Sequence, residues 1–271
     1  MAESPIRAAF ARAQREGRAA FIPYLMAGYP DEATCAELAR ALADAGADVI
    51  ELGVPFSDPL ADGATIQHAS QQVLGQGMTL QRCLALARAI HAATQVPLVL
   101  MGYYNPFLRM GLAEAFRQAA ATGVAGVIIP DLPADEAEPL IAAAKPYGIS
   151  PIFLVTPTSP AARITQVAAA ARAADSGFVY VVSLSGVTGA RTALADDLPA
   201  LLARVRSATG DIPLAVGFGI AQPAHAATIG PLADGIVVAS ALIDAYDHAP
   251  ASQGVAAVRT LAGQLHDAAR R

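Results

Sequence analysis

Eight short apolar runs recur along the chain, at residues 21–27, 49–54, 97–102, 126–132, 151–155, 178–183, 213–218 and 235–240. Each is too short for a helix and most are β-branched, so they predict strands. Alanine-rich segments with helical period separate them, at 32–45, 80–93, 113–121 and 135–144. Asp31 and Thr79 stand where helix N-caps belong, and Gly46, Gly123 and Gly148 where helices stop. Strands that are apolar throughout, alternating with amphipathic helices, predict a parallel sheet covered by helices. Eight such units in 271 residues match an α/β fold of the (β/α)8 TIM-barrel type. An open doubly wound sheet would carry a glycine fingerprint after its first strand, but that turn reads Ala27-Gly28-Tyr29-Pro30. No linker interrupts the pattern, so residues 1–271 are expected to form one domain.

Two segments add to the repeat. The runs start 22 to 35 residues apart, except for a 48-residue step after the second; that step predicts a long loop with an extra helix. Residues 4–18 carry four arginines, as a transit peptide does, but also Glu16. Ser4-Pro5 is a good helix start, Ile6, Ala9, Phe10 and Ala13 make one apolar face, and Gly17 can end it. An extra N-terminal helix is expected.

Composition narrows the chemistry. A net charge of −5 leaves no basic face for nucleic acid. The strongly apolar charge-free stretch at residues 146–162 is broken by Pro151, Pro157 and Pro160, so no membrane span is expected. Cys35 and Cys83 fall in helical patterns and read as buried thiols of a cytoplasmic protein. The five histidines show no metal-ligand spacing. Of 18 basic residues, only Lys145 is a lysine.

Chemistry in such barrels sits at the C-terminal ends of the strands. Asp48 and Asp234 precede their strands and should be structural. Asp131 should end the fourth strand. Alternation puts Val49, Glu51 and Gly53 on one face of the second strand and Ile50, Leu52 and Val54 on the other. The aliphatic face should meet the helices, which turns Glu51 into the barrel. Burial should raise its pKa, which suits a group that both gives and takes a proton. The following segment, from Pro55 through Asp58 and Asp62 to Thr65, is open on composition alone between a surface turn and part of a site. Glycines at 186, 189, 217 and 219, with Ala239-Ser240, follow the last three strands. There, backbone N–H groups and a short helix N-terminus would hold a phosphate.

Glu51-Leu-Gly-Val-Pro-Phe-Ser-Asp-Pro-Leu-Ala-Asp62-Gly, followed by Ala64-Thr-Ile-Gln67, resembles the signature of the tryptophan synthase alpha chain family. So do the segments from Phe21 to Pro30, Met101 to Pro106, Pro130 to Pro133, Ser185 to Gly189 and Gly217 to Gly219, in the same order. The resemblance implies cleavage of indole-3-glycerol phosphate into indole and glyceraldehyde 3-phosphate, without a cofactor. It implies that Glu51 is the acid/base and that Asp62 holds the indole N–H. It places Tyr180 near the substrate, Thr188 on a loop that closes the site, and Gly189, Gly219, Ala239 and Ser240 at the phosphate. Asp58, Tyr103, Asn105 and Pro106 match surfaces facing a beta chain, in an alpha2-beta2 heterotetramer. Two positions depart from well-known members: Ala239 stands where a glycine is usual, and Leu184 where some carry a basic residue.

The residues fit that chemistry independently. A lysine Schiff base fails because Lys145 falls on the bottom side, before the fifth strand. No histidine cluster suggests a metal. Protonation of indole at C3 makes the ring its own electron sink, so one acid/base carboxylate and one anion suffice. Tyr24, Leu100 and Phe218 are expected to enclose the ring. The alternatives are a sugar-phosphate isomerase on the same barrel and a non-catalytic subunit that activates a partner.

Overall fold

The computed structural model describes residues 4–183, 197–217, 219–250 and 252–271. Its strands are β1 (Ala20–Met26), β2 (Ile50–Gly53), β3 (Leu98–Met101), β4 (Val124–Ile128), β5 (Ser150–Ile152), β6 (Leu154–Val155), β7 (Val179–Val182), β8 (Leu214–Gly217) and β9 (Gly235–Val238). All pair in parallel, in the order β5-β4-β3-β2-β1-β9-β8-β7-β6. β5 pairs with β4 and β6 with β7, and only Phe153 separates the two. They are therefore one predicted strand broken at a single residue, and the ring is the eight-stranded barrel.

Helices cover the ring: α1 (Pro5–Arg15), α2 (Glu32–Asp44), α3 (Ala64–Gly75), α4 (Leu80–Thr94), α5 (Tyr104–Met110), α6 (Leu112–Ala120), α7 (Glu138–Ala144), α8 (Ala161–Ala173), α9 (Leu198–Thr209), α10 (Pro223–Ile229), α11 (Ser240–Asp247) and α12 (Gly254–Ala268). The long step after β2 holds two of them, α3 and α4. Asp31 caps α2 by accepting from Thr34 N–H at 2.9 Å, and Thr79 caps α4 by accepting from Arg82 N–H at 3.3 Å. The segment 135–144 is not one helix. Pro139 lies in the first turn of α7 and restricts the residue before it, so a short 3-10 turn (Ala134–Glu136) precedes.

Alternation sorts the core. Ala20, Ile22, Val49, Val99, Ile128, Tyr180, Val182, Ala215 and Val237 meet inside the barrel. Ile50, Leu52, Leu98, Leu100, Val181, Val216 and Ile236 pack outward with the helices. α1 stoppers the N-terminal mouth. Its Ile6, Ala9, Phe10 and Ala13 join the inner cluster, each large side chain contributing roughly 1.5–3 kcal/mol by burial. Ile6 comes so close to Gly177 that a Cβ there would lie 2.5 Å from it. Ser4 does not cap α1 through its side chain; Pro5 alone fixes the start.

Asp48 and Asp234 are structural, as expected. Asp48 is fully buried and accepts from Arg12 (2.8 Å), Arg18 and Phe21 N–H (2.8 Å). Asp234 pairs with Arg206 and Arg271 and accepts from Leu214 N–H at 2.9 Å. Two strand ends differ from expectation. Asp131 lies beyond β4 and accepts from Tyr104 N–H at 2.9 Å. Ser240 is the first residue of α11, since Ala239 turns the chain out of β9.

Candidate active site

Glu51 sits on β2 in register with Tyr24 of β1 and Val99 of β3. The aliphatic residues on either side of it face the helices, which turns its carboxyl inward. It is 3% exposed, and its Oε2 has no hydrogen-bond partner among the described residues. Burial, and then the charge of Asp62, push its pKa from 4.5 up to about 8.

Asp62 ends the loop after β2 and is 6% exposed. That loop is pinned from both sides. Its Asp62 N–H donates to Pro59 O at 3.1 Å, and the Asp62 carbonyl accepts from Gln67 Nε2 at 2.8 Å. Tyr103 Oη accepts from Ala61 N–H at 2.8 Å. The Tyr103 ring stacks on Phe56 with centroids 5.0 Å apart, and Phe56 N–H donates to Ser70 Oγ at 3.1 Å. Burial raises the Asp62 carboxyl to about 6, opposed by the Tyr103 hydroxyl. Near neutrality the site thus holds a protonated Glu51 beside an ionised Asp62, an acid and an anion separated by environment.

Two tyrosines frame this pair. Burial and the two carboxylates raise the phenols of both Tyr24 and Tyr180. Each hydroxyl lies against a glycine on the next strand. A Cβ on Gly53 would fall 1.9 Å from Tyr24 Oη, and one on Gly217 would fall 2.1 Å from Tyr180 Oη. These glycines let the rings lie flat along the barrel wall.

Other expected residues divide. Gly219, Ala239 and Ser240 gather at the ends of β8 and β9; Gly219 has φ +80°, and Ser240 is exposed at the start of α11. Thr188, Gly189, Phe218 and Leu184 lie outside the described residues. Leu100 is corrected: it packs outward with Leu98, alternating with Val99, and the residue that reaches the inner cluster is Met101. Asp58 and Asn105 are exposed and Pro106 is partly so, whereas Tyr103 is buried under the Asp62 loop. Lys145 is exposed, below β5 and away from the site.

A cavity of about 470 Å³ adjoins the Asp62 loop. Leu60, Ala61, Pro130, Leu132, Phe153, Leu154, Val182 and Arg163 are among the residues that line it. None of these residues is among the sequence-expected site residues. The run 151–155 is apolar throughout, so alternation assigns it no face. Its proline at 151 was the one available sign of irregularity.

Comparison with known proteins gives the family. The family model for the tryptophan synthase alpha chain matches residues 10–270. The tryptophan synthase alpha chain of Roseiflexus castenholzii is 51% identical, over 93% of this chain and 95% of its own. That of Chloroflexus aurantiacus is 48% identical, over 99% of each. A solved structure of Mycobacterium tuberculosis tryptophan synthase superposes with a TM-score of 0.90 at 39% identity and full coverage of both chains. The barrel, its carboxylate pair and the near end-to-end likeness agree: the chain belongs to the tryptophan synthase alpha chain family.

Proposed function

We propose that Glu51 and Asp62 carry out the family's carbon–carbon lyase reaction, the cleavage of indole-3-glycerol phosphate into indole and glyceraldehyde 3-phosphate. The observation that carries this reading is the Glu51 carboxyl, dry, turned inward and without a partner for Oε2, beside a second carboxylate. A buried carboxyl without a partner costs stability, and its use is the proton it holds.

The ionised Asp62 accepts the indole N–H. Protonated Glu51 delivers its proton to C3, and the ring becomes an iminium. The bond between C3 and the glycerol side chain then breaks, and its electrons return to the ring. Glu51, now a carboxylate, takes the proton of the adjacent glycerol hydroxyl as the aldehyde forms. One proton is given and one recovered, so no cofactor enters the balance. Tyr24, Tyr180 and Met101 enclose the ring; the expected Phe218 and Thr188 lie outside the described residues. Gly219, Ala239 and Ser240 hold the phosphate through backbone N–H groups and the Ser240 hydroxyl. The methyl of Ala239 leaves its N–H in place as a donor.

Indole passes to a beta chain in an alpha2-beta2 heterotetramer, docked on the face that carries Asp58, Asn105 and Pro106. The exposed Leu60 and Leu108 give that face its apolar contacts. Tyr103 serves it from below, by holding the loop. Among the described residues no helix is long and apolar enough to cross a membrane. The buried free thiols of Cys35 and Cys83 support a reducing cytoplasm. The test is indole release from indole-3-glycerol phosphate by the purified chain, with and without a beta chain. Wild type should release indole, and Asp62→Asn should lose roughly 10²-fold or more of turnover. An Asp62→Asn rate near wild type would refute the pairing of roles.

A further inference from the structure

The phosphate end and the carboxylate end of the site lie on different βα units, yet one side-chain hydrogen bond joins them. Thr65 Oγ1 donates to Asp244 Oδ1 at 3.1 Å, across 179 positions of sequence. Thr65 stands in the first turn of α3, three residues after Asp62. In the same turn, Gln67 Nε2 holds the Asp62 carbonyl at 2.8 Å. Asp244 stands four residues after Ser240 on α11, one turn along the same helix face. The links run without a gap: α11 N-terminus, Asp244, Thr65, first turn of α3, Asp62.

The fold has other means of holding α11. β9 pairs with β1 and β1 with β2 through the sheet. The far end of α11 is tied by Tyr29 Oη, which donates to Asp247 Oδ1 at 2.7 Å. The Thr65 bond sits instead at the level where both ends of the site are built. Both partners are partly buried, where a hydrogen bond to a carboxylate is stronger than one between neutral groups.

Resting on the active-site reading above, we propose that Thr65 and Asp244 are positioning residues that couple the two ends, so that an anion seated at α11 draws Asp62 into place for the indole N–H. Coupling of this kind is reciprocal, so phosphate must tighten indole binding by the factor by which indole tightens phosphate binding.

The chain has no tryptophan, so indole fluorescence reports bound indole against a clean background. Indole would be titrated into the full chain with and without saturating inorganic phosphate, for wild type, Thr65→Val, Thr65→Ser and Asp244→Asn. In wild type, phosphate should tighten indole binding about 3- to 10-fold, within the range of known couplings. Thr65→Val should bind each ligand alone within twofold of wild type, yet lose the enhancement. Thr65→Ser keeps the donor and Asp244→Asn keeps an acceptor, so both should retain it. Independent binding of the two ligands in wild type overturns the proposal while the active-site reading stands. So does a full enhancement in Thr65→Val. A wild-type chain that neither binds indole nor releases it from indole-3-glycerol phosphate overturns the active-site reading itself, and the coupling with it.

Discussion

Replacing Glu51 by glutamine should make the enzyme slower and the fold sturdier, and the second effect should depend on pH. The folded chain holds the Glu51 proton up to about 8, whereas an exposed glutamate releases it near 4.5. The unfolded chain therefore binds fewer protons across that window, and stability falls as pH rises through it. At about 1.4 kcal/mol per tenfold, the full penalty above pH 8 approaches 5 kcal/mol, with about 3 already present at pH 7 and under 1 at pH 5. Glutamine removes this term but brings its own unmet amide donor, at about 1–3 kcal/mol. Water reaching the site reduces the penalty further, so the net gain near pH 8 should be roughly 1–2 kcal/mol. For a domain of this size that is about 2–8 °C in Tm. Thermal unfolding of both proteins from pH 5 to 9 would show the gap widen up to pH 8 and then level. Turnover should meanwhile fall by roughly 10² to 10⁴. A stability difference that stays constant with pH would refute the buried, proton-holding carboxyl.

The same pair of carboxyls sets the rate profile. With Asp62 raised to about 6 and Glu51 to about 8, kcat/KM against pH should be bell-shaped, rising as Asp62 ionises and falling as Glu51 loses its proton. Asp62→Asn should abolish the acid limb, and its persistence would assign that limb elsewhere. Gly53→Ala places a Cβ 1.9 Å from Tyr24 Oη and 2.5 Å from its Cζ and should lower kcat/KM at least about tenfold by displacing the ring; a kcat/KM within about twofold of wild type would show that the ring does not need this glycine. Asp48→Asn leaves Arg12 and Arg18 facing a neutral side chain at the closed mouth of the barrel, at a cost of about 3–5 kcal/mol in denaturant unfolding. The folded fraction of that variant should keep wild-type turnover, since Asp48 lies at the opposite end from Glu51.

Much of this was legible in the sequence because two periodicities carried it. The period of two in residues 49–54 turns Glu51 inward, and the structure agrees because aliphatic neighbours on both sides prefer the helix layer. Period and caps located α2 and α4 nearly to the residue. Legibility failed where a pattern was degenerate. Residues 97–102 are almost all apolar, so alternation assigns them no faces; Leu100, expected in the site, packs outward while Met101 borders the interior. Tyr103 looked like a surface residue on motif position alone; its burial arises from stacking on Phe56, a contact 47 residues away that no local rule reveals. Likewise, Thr65 and Asp244 meet only because β1 brings β2 and β9 to its two sides.

Glu51 keeps its proton inside the barrel near neutral pH while Asp62 does not. Carbon-13 NMR of the full chain, labelled at glutamate side-chain carboxyls, titrates that group directly, and the Glu51→Gln variant assigns its resonance. One signal should move with a midpoint near 8 and vanish in the variant. If the vanishing signal instead titrates in the ordinary range of an exposed glutamate, Glu51 is charged at pH 7 and cannot be the acid that starts the reaction.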